Sequence, residues 1–356
     1  MNLRFVFAQW GKLGLLLGSL LTAVGLLFLL IPGEQGLILD AAELSLLGSG
    51  GGSMVVGLSA WLIGRSAVTM TVRPISGVGQ SLTRPYRMNR RDAALVTTGA
   101  WVIGAAVAAS PFLMWATLAA DVSPEHPFHS VIDCYFEAMS GLTTTGATVL
   151  SDIESLPRSL LLWRSLIQWL GGLGILMLFV AILPGLGAAA KKLFRIESPG
   201  PDPEGVRPTI RQTARRLWTL YAGLTVAEIV LLLATGMGLF DAANHTFTTL
   251  ATGGFSTRNA SIARPESLAT EIVLIVFMVL AGSNFTVLLA LLKGRWKAAM
   301  ANTEFRIYLF CLLGGTLFIT AALIGHAEPL VLSNGADVPA SAGESLRAAA
   351  FTVVSQ

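Results

Sequence analysis

Seven stretches of this chain are each apolar over about twenty residues, at roughly 13–31, 46–64, 93–118, 159–184, 216–237, 269–292 and 306–326. A helix of that length crosses a hydrocarbon core of about 30 Å, and a chain in lipid must satisfy its own backbone hydrogen bonds. The fold class expected is therefore an all-α polytopic membrane protein. Composition agrees, with 53% hydrophobic and 13% charged residues, where soluble domains carry about a quarter charged. The first stretch follows Arg4 and Lys12 but ends in "IPGEQG" without a small-x-small cleavage site. It reads as an anchor rather than a cleaved signal.

Basic residues fix the expected orientation, because Lys and Arg collect in cytoplasmic loops. With the N-terminus inside, 19 of the 24 Lys and Arg fall on the cytoplasmic side, including six arginines from Arg65 to Arg91 and seven basic residues from Lys191 to Arg216. The pI near 9.1 reflects these loops, which implies contact with anionic lipid and not with nucleic acid. Cys134 and Cys311 sit in apolar surroundings without metal-like spacing.

Between the third and fourth stretches, on the outer side, the apolar run from Phe128 to about Gly141 is too short to span and reads as a re-entrant helix. It leads into "LTTTGAT". A second copy follows the fifth stretch: "IDCYFEAMSGLTTTGAT" from Ile132 aligns with "FDAANHTFTTLATGGFS" from Phe240 at an offset of 108 without a gap. Asp133 meets Asp241, Leu142 meets Leu250, Thr144 meets Thr252 and Gly146 meets Gly254. "FTVVSQ" from Phe351 starts a third copy on "FEAMSG". The predicted unit is spanning helix, re-entrant helix, threonine-glycine loop, spanning helix. Its expected boundaries are 1–91 for two leading helices and a basic loop, 92–200 and 201–300 for two pore repeats, and 301–356 for the start of a third.

Irregular backbone at membrane depth is tolerated where it is enclosed by protein or lines a watery cavity. Glycine exposes its carbonyl and opens conformations closed to other residues, and several such loops can replace the hydration shell of a monovalent cation. Close packing of small residues is the competing reading. Two gapless copies, each after a helix too short to span, favour the filter.

The stretches "TTTGATVL", "WRSLIQWLGGLGI" from Trp163, "TGGFSTRNAS" from Thr252 and "RPTIRQTARRLW" before the fifth span resemble the TrkH subfamily of the TrkH/KtrB/HKT cation transporter superfamily. The resemblance covers the chain from about residue 90, and the two leading helices are similar to TrkH. It implies a potassium-channel-like fold of four pseudo-repeats around a potassium-selective pore. Thr143, Thr144, Thr145 and Gly146 would line the first filter, and Ala251, Thr252, Gly253 and Gly254 the second. It further implies K+ as the transported ion, uptake across the bacterial inner membrane, a homodimer, and a TrkA-like cytoplasmic nucleotide-binding subunit. The third filter would fall just past Gln356 and the fourth repeat has no counterpart. The chain is expected to be a fragment or truncated relative, its alternative reading a non-conducting subunit.

Other residues carry open readings. Glu228 and Arg164, ionisable and inside spans, serve either ion passage or helix fixation, with fixation favoured. Glu137 either biases the outer mouth toward cations or is a hydrogen-bonded structural carboxylate. Ser283, Asn284 and Thr286 either line the pore or join neighbouring helices. "GSGGGS" from Gly48 lacks the Lys of a phosphate loop and reads as helix packing. No nucleophile–base pair or H-E-x-x-H motif points to an enzyme, and the four histidines, His126, His129, His245 and His326, are placed in outer loops or at their edges.

Overall fold

A computed structural model of the chain describes residues 2–30, 40–65, 69–72, 82–85, 89–172, 174, 210–261, 268–325 and 342–356. The chain forms two compact units, residues 1–218 and 219–356. Five helices among the described residues are long and apolar enough to cross a membrane.

The first unit opens with α1 (Leu3–Leu30) and α2 (Ala41–Gly64). They run antiparallel at backbone contact, because glycines face each other along the seam. A Cβ on Gly57 would stand 2.7 Å from the Gly11 carbonyl, and one on Gly18 would stand 2.7 Å from the Gly50 carbonyl. Between apolar helices in lipid, such close approach replaces the hydrophobic effect as the source of association. This accounts for part of "GSGGGS": Gly50 lies in the seam, whereas Gly51 and Gly52 face open space.

A two-stranded hairpin, β1 (Thr69–Val72) with β2 (Leu82–Pro85), interrupts the basic loop in the register Thr69 to Pro85. Nothing in the helical pattern anticipates it. Helix α3 (Arg90–Leu118) then starts from a capping box of Asn89 and Asp92, and Asp92 also accepts the Asn2 N–H at 3.0 Å. Its Ala93, Val96, Ala100 and Ala105 pack with Phe5, Val6, Leu13 and Leu17 of α1 into one core, which Leu142 and Leu170 complete. A single 3₁₀ turn (Pro127–His129) leads into α4 (Val131–Leu142), and α5 (Arg158–Gly172) follows. The buried indole of Trp163 donates to the Ala108 carbonyl at 3.0 Å and ties α5 to α3. The rest of the fourth apolar stretch, beyond Gly174, and the basic residues from Lys191 to Arg207 lie outside the described residues.

Helix α6 (Ile210–Ala234) carries the chain into the second unit. There α7 (Leu239–Leu250), α8 (Leu268–Ala281), α9 (Phe285–Leu292), α10 (Trp296–Ala301), α11 (Thr303–Gly325) and α12 (Ala342–Ser355) follow. Leu232, Ala242 and Leu274 form a small core joining α6, α7 and α8. The Arg347 guanidinium pairs with Glu271, fastening α12 to α8. "FTVVSQ" falls at the end of α12.

Two expectations change. The first helix begins at Leu3, ten residues before the apolar run at 13, because Gln9 and Gly11 are buried within the unit. The sixth stretch is two helices, broken at Gly282–Asn284, where the Ser283 hydroxyl turns back to the Val279 carbonyl at 2.7 Å and the Asn284 carbonyl restarts the ladder by accepting from Val287 and Leu288. Such side-chain competition for backbone groups bends or ends helices. The Asn284 side chain reaches Glu304 of α11 at 3.4 Å, which is the helix-joining role.

Candidate functional site

The two re-entrant helices are the same element twice. Helices α4 and α7 have 12 residues each and their ends correspond at the offset of 108. Both bury one side, and both stop where the chain turns left-handed. Thr144 has φ 56° and Gly146 φ 77°; Thr252 has φ 52° and Gly254 φ 81°. The positive angles thus recur at matching positions. For threonine this region costs roughly 1–2 kcal/mol, so the surroundings must hold it there.

Hydrogen bonds supply that hold. The Thr144 N–H donates to the Gly141 carbonyl at 3.0 Å and the Thr145 N–H to Ser140 at 2.8 Å. The corresponding Thr252 N–H donates to Thr249 at 2.9 Å and Gly253 N–H to Thr248 at 2.9 Å. Two amides of each loop are therefore spent on the last turn of the helix before it. Among the described residues, no donor is bonded to the carbonyls of Thr143, Thr144, Thr145 and Gly146, or to those of Ala251, Thr252 and Gly254. The free carbonyls and the helix C-terminal dipole both offer partial negative charge.

Downstream of the first loop stands a buried network. The Glu137 carboxylate, on α4, accepts from Arg164 Nε at 2.8 Å and Nη2 at 2.6 Å, from the Thr148 hydroxyl at 3.0 Å, and from the Val149 N–H at 3.0 Å. Glu137 is 0% and Arg164 1% exposed. Breaking such a pair by removing one partner costs about 3–5 kcal/mol, because the other charge is left buried alone. Glu137 is thus a structural carboxylate rather than a charge at the outer mouth. Sequence reasoning singled out both residues but did not join them, since 27 positions separate them. Ser140 adds a bond to the Ala147 carbonyl at 2.6 Å.

The second loop is supported differently. The position matching Glu137 is His245, which lies buried in the middle of α7 and not in an outer loop. Here Asp241, one turn earlier, accepts from the Thr257 hydroxyl at 3.0 Å and faces Arg258 at 3.6 Å, a pair open to solvent. Glu228 is fully buried on α6 near the Thr249 hydroxyl of α7, without a well-formed hydrogen bond. Asn244 is buried and donates to the Phe240 carbonyl at 2.8 Å, so its N-x-T triplet is an internal contact.

Outside the spans, His126 accepts the Phe128 N–H at 3.1 Å and lies edge-on to Trp115. Burial, with His129 nearby, pushes its imidazole below the ordinary value. His326 lies outside the described residues. No cluster of three metal-ligating side chains occurs among the described residues; the oxygens of the two loops are backbone carbonyls and threonine hydroxyls.

Spanning helices interleaved with re-entrant helices and carbonyl-presenting loops define a polytopic membrane protein built from pore-helix units. The family model TrkH, described as "Cation transport protein", matches residues 83–311. The Trk system potassium uptake protein TrkH of Escherichia coli K12 is 38% identical over 250 residues, 68% of this chain and 50% of that protein. TrkG of the same strain is 35% identical over 242 residues, 67% of this chain and 48% of that one. The crystal structure of the potassium transporter TrkH from Vibrio parahaemolyticus is similar with a TM-score of 0.73 at 29% identity, covering 100% of this chain and 64% of that one. The chain belongs to the TrkH family of cation transport proteins, and it spans about half the length of the curated relatives it matches.

Proposed function

We propose that this chain provides filter walls for potassium uptake across the bacterial inner membrane, with Thr143, Thr144, Thr145 and Gly146 in one wall and Ala251, Thr252, Gly253 and Gly254 in the other. The observation that carries this is the recurrence of left-handed residues at matching places in two loops, with the Thr144, Thr145, Thr252 and Gly253 amides bonded back to the re-entrant helices and the Thr144, Gly146, Thr252 and Gly254 carbonyls without a bonded donor among the described residues. Alternating the sign of φ gathers successive N–H groups on one side of the chain. The carbonyls are left to the other side, where they can take the place of a cation's hydration shell. The membrane potential then drives entry with about 2.3 kcal/mol per charge for each 100 mV.

The same reading places the N-terminus in the cytoplasm, makes the working unit a homodimer, and assigns gating to a TrkA-like nucleotide-binding subunit; copurification from the native membrane tests both partners. A non-conducting subunit is the alternative. The deciding experiment expresses the complete gene product in a bacterium deficient in potassium uptake. Growth at low potassium is expected, and Gly146→Ser and Gly254→Ser should each weaken the preference for potassium over sodium. Rescue with an unchanged preference in both variants would remove the filter assignment, and no rescue at all would leave the non-conducting reading.

A further inference from the structure

We infer that Glu137, Arg164 and Thr148 form a positioning clamp that sets the ion selectivity of the first loop, an inference that rests on the filter reading above. The strand leaving the loop, residues 147–150, is fixed to its own re-entrant helix at successive points: the Ser140 hydroxyl to the Ala147 carbonyl, the Glu137 carboxylate to the Thr148 hydroxyl and the Val149 N–H, and the Thr148 hydroxyl oxygen to the Leu150 N–H. Arg164 closes the clamp from α5 with two nitrogens on one carboxylate oxygen. Charge-assisted bonds of this kind are short and directional; the Glu137–Arg164 pair is buried, so water does not loosen it, while Thr148, which joins the pair to the chain after the loop, is exposed. The loop is therefore anchored at both ends, by the last turn of α4 before it and by the clamp after it. Its carbonyl spacing cannot drift toward that favoured by a smaller cation.

The second loop shows why this is a property of the first alone. It has His245 where the first has Glu137 and relies on Asp241, the counterpart of Asp133; its arginine belongs to the exit segment itself, and the pair is open to solvent, 29% exposed for Asp241 and 53% for Arg258. Water and salt compete for that contact. Discrimination is accordingly concentrated in the first loop, and the second tolerates loss of its acid.

The test measures the ratio of potassium to sodium flux in liposomes containing the purified complete gene product, with folding followed by thermal midpoint and gel filtration. Glu137→Gln and Arg164→Lys address the buried pair directly. Thr148→Val keeps that pair and the side-chain shape but removes the hydroxyl link to the strand, so it remains informative should the charge variants misfold. Thr148→Val is expected to retain flux and a normal midpoint while the ratio falls about tenfold, and Asp241→Asn is expected to change it far less. Gly146→Ser is run alongside. An unchanged ratio in Thr148→Val, with the ratio lost in Gly146→Ser, overturns the clamp alone. A ratio unchanged in Gly146→Ser removes the filter reading on which the clamp depends.

Discussion

Gly254 and Gly236 make a controlled pair of residues. Both have left-handed backbones, φ 81° and 94°, and a Cβ added to either meets nothing within 4 Å. Alanine at each should cost about 1 kcal/mol through backbone strain alone. Thermal midpoints of Gly236→Ala and Gly254→Ala should thus fall by similar amounts, whereas potassium over sodium preference should change only for Gly254→Ala; equal effects of both on preference would argue that general loosening, not the loop, sets it. The identities of these threonines and glycines were legible in the sequence because the repeat marks them twice. The union of Glu137 with Arg164 was not, since nothing local records which side chains meet across two helices. His245 escaped for a related reason: the alignment places it opposite Glu137, but a histidine in a polar-looking stretch gives no sign of being buried.

Among elements, the re-entrant helices were the most legible, because the apolar run of the first is too short to cross and the gapless repeat then marks the second. The broken sixth span was less so. Ser283 and Asn284 flagged a disturbance, yet hydropathy averages over two short helices as readily as over one long one. The paired strands Thr69–Val72 and Leu82–Pro85 are four residues each, too short for an apolar pattern to stand out. For the α1–α2 pair, sequence showed glycines but not which of them face the seam. That distinction is testable within one helix. Gly57→Ala should lower the thermal midpoint in detergent, since its methyl would intrude on the Gly11 backbone, while Gly51→Ala, with open space around it, should raise it by the helix-propensity gain of about 1 kcal/mol. A destabilising Gly51→Ala would refute the assigned seam.

On the scale of the whole molecule, the charge distribution predicts an orientation. Lys293, Arg295 and Lys297 lie where α9 gives way to α10, and Asp121 and Glu125 lie in the connection from α3 to α4. In a chain with Cys311 replaced by serine, an impermeant thiol reagent should label Glu125→Cys in intact spheroplasts and Lys293→Cys only after permeabilisation; the reverse pattern would invert the topology. Fold and family were legible at this scale because period, span length and charge act over tens of residues. Side-chain networks act over a few ångströms and are invisible at that distance.

The recurring left-handed residues also bear on chirality itself. At Gly146 and Gly254 the native backbone angles are those a d-amino acid prefers and an l-amino acid resists. Semisynthesis with d-alanine at either position should therefore preserve folding and selectivity where l-alanine disturbs them. In these two places the conservative replacement is the mirror image.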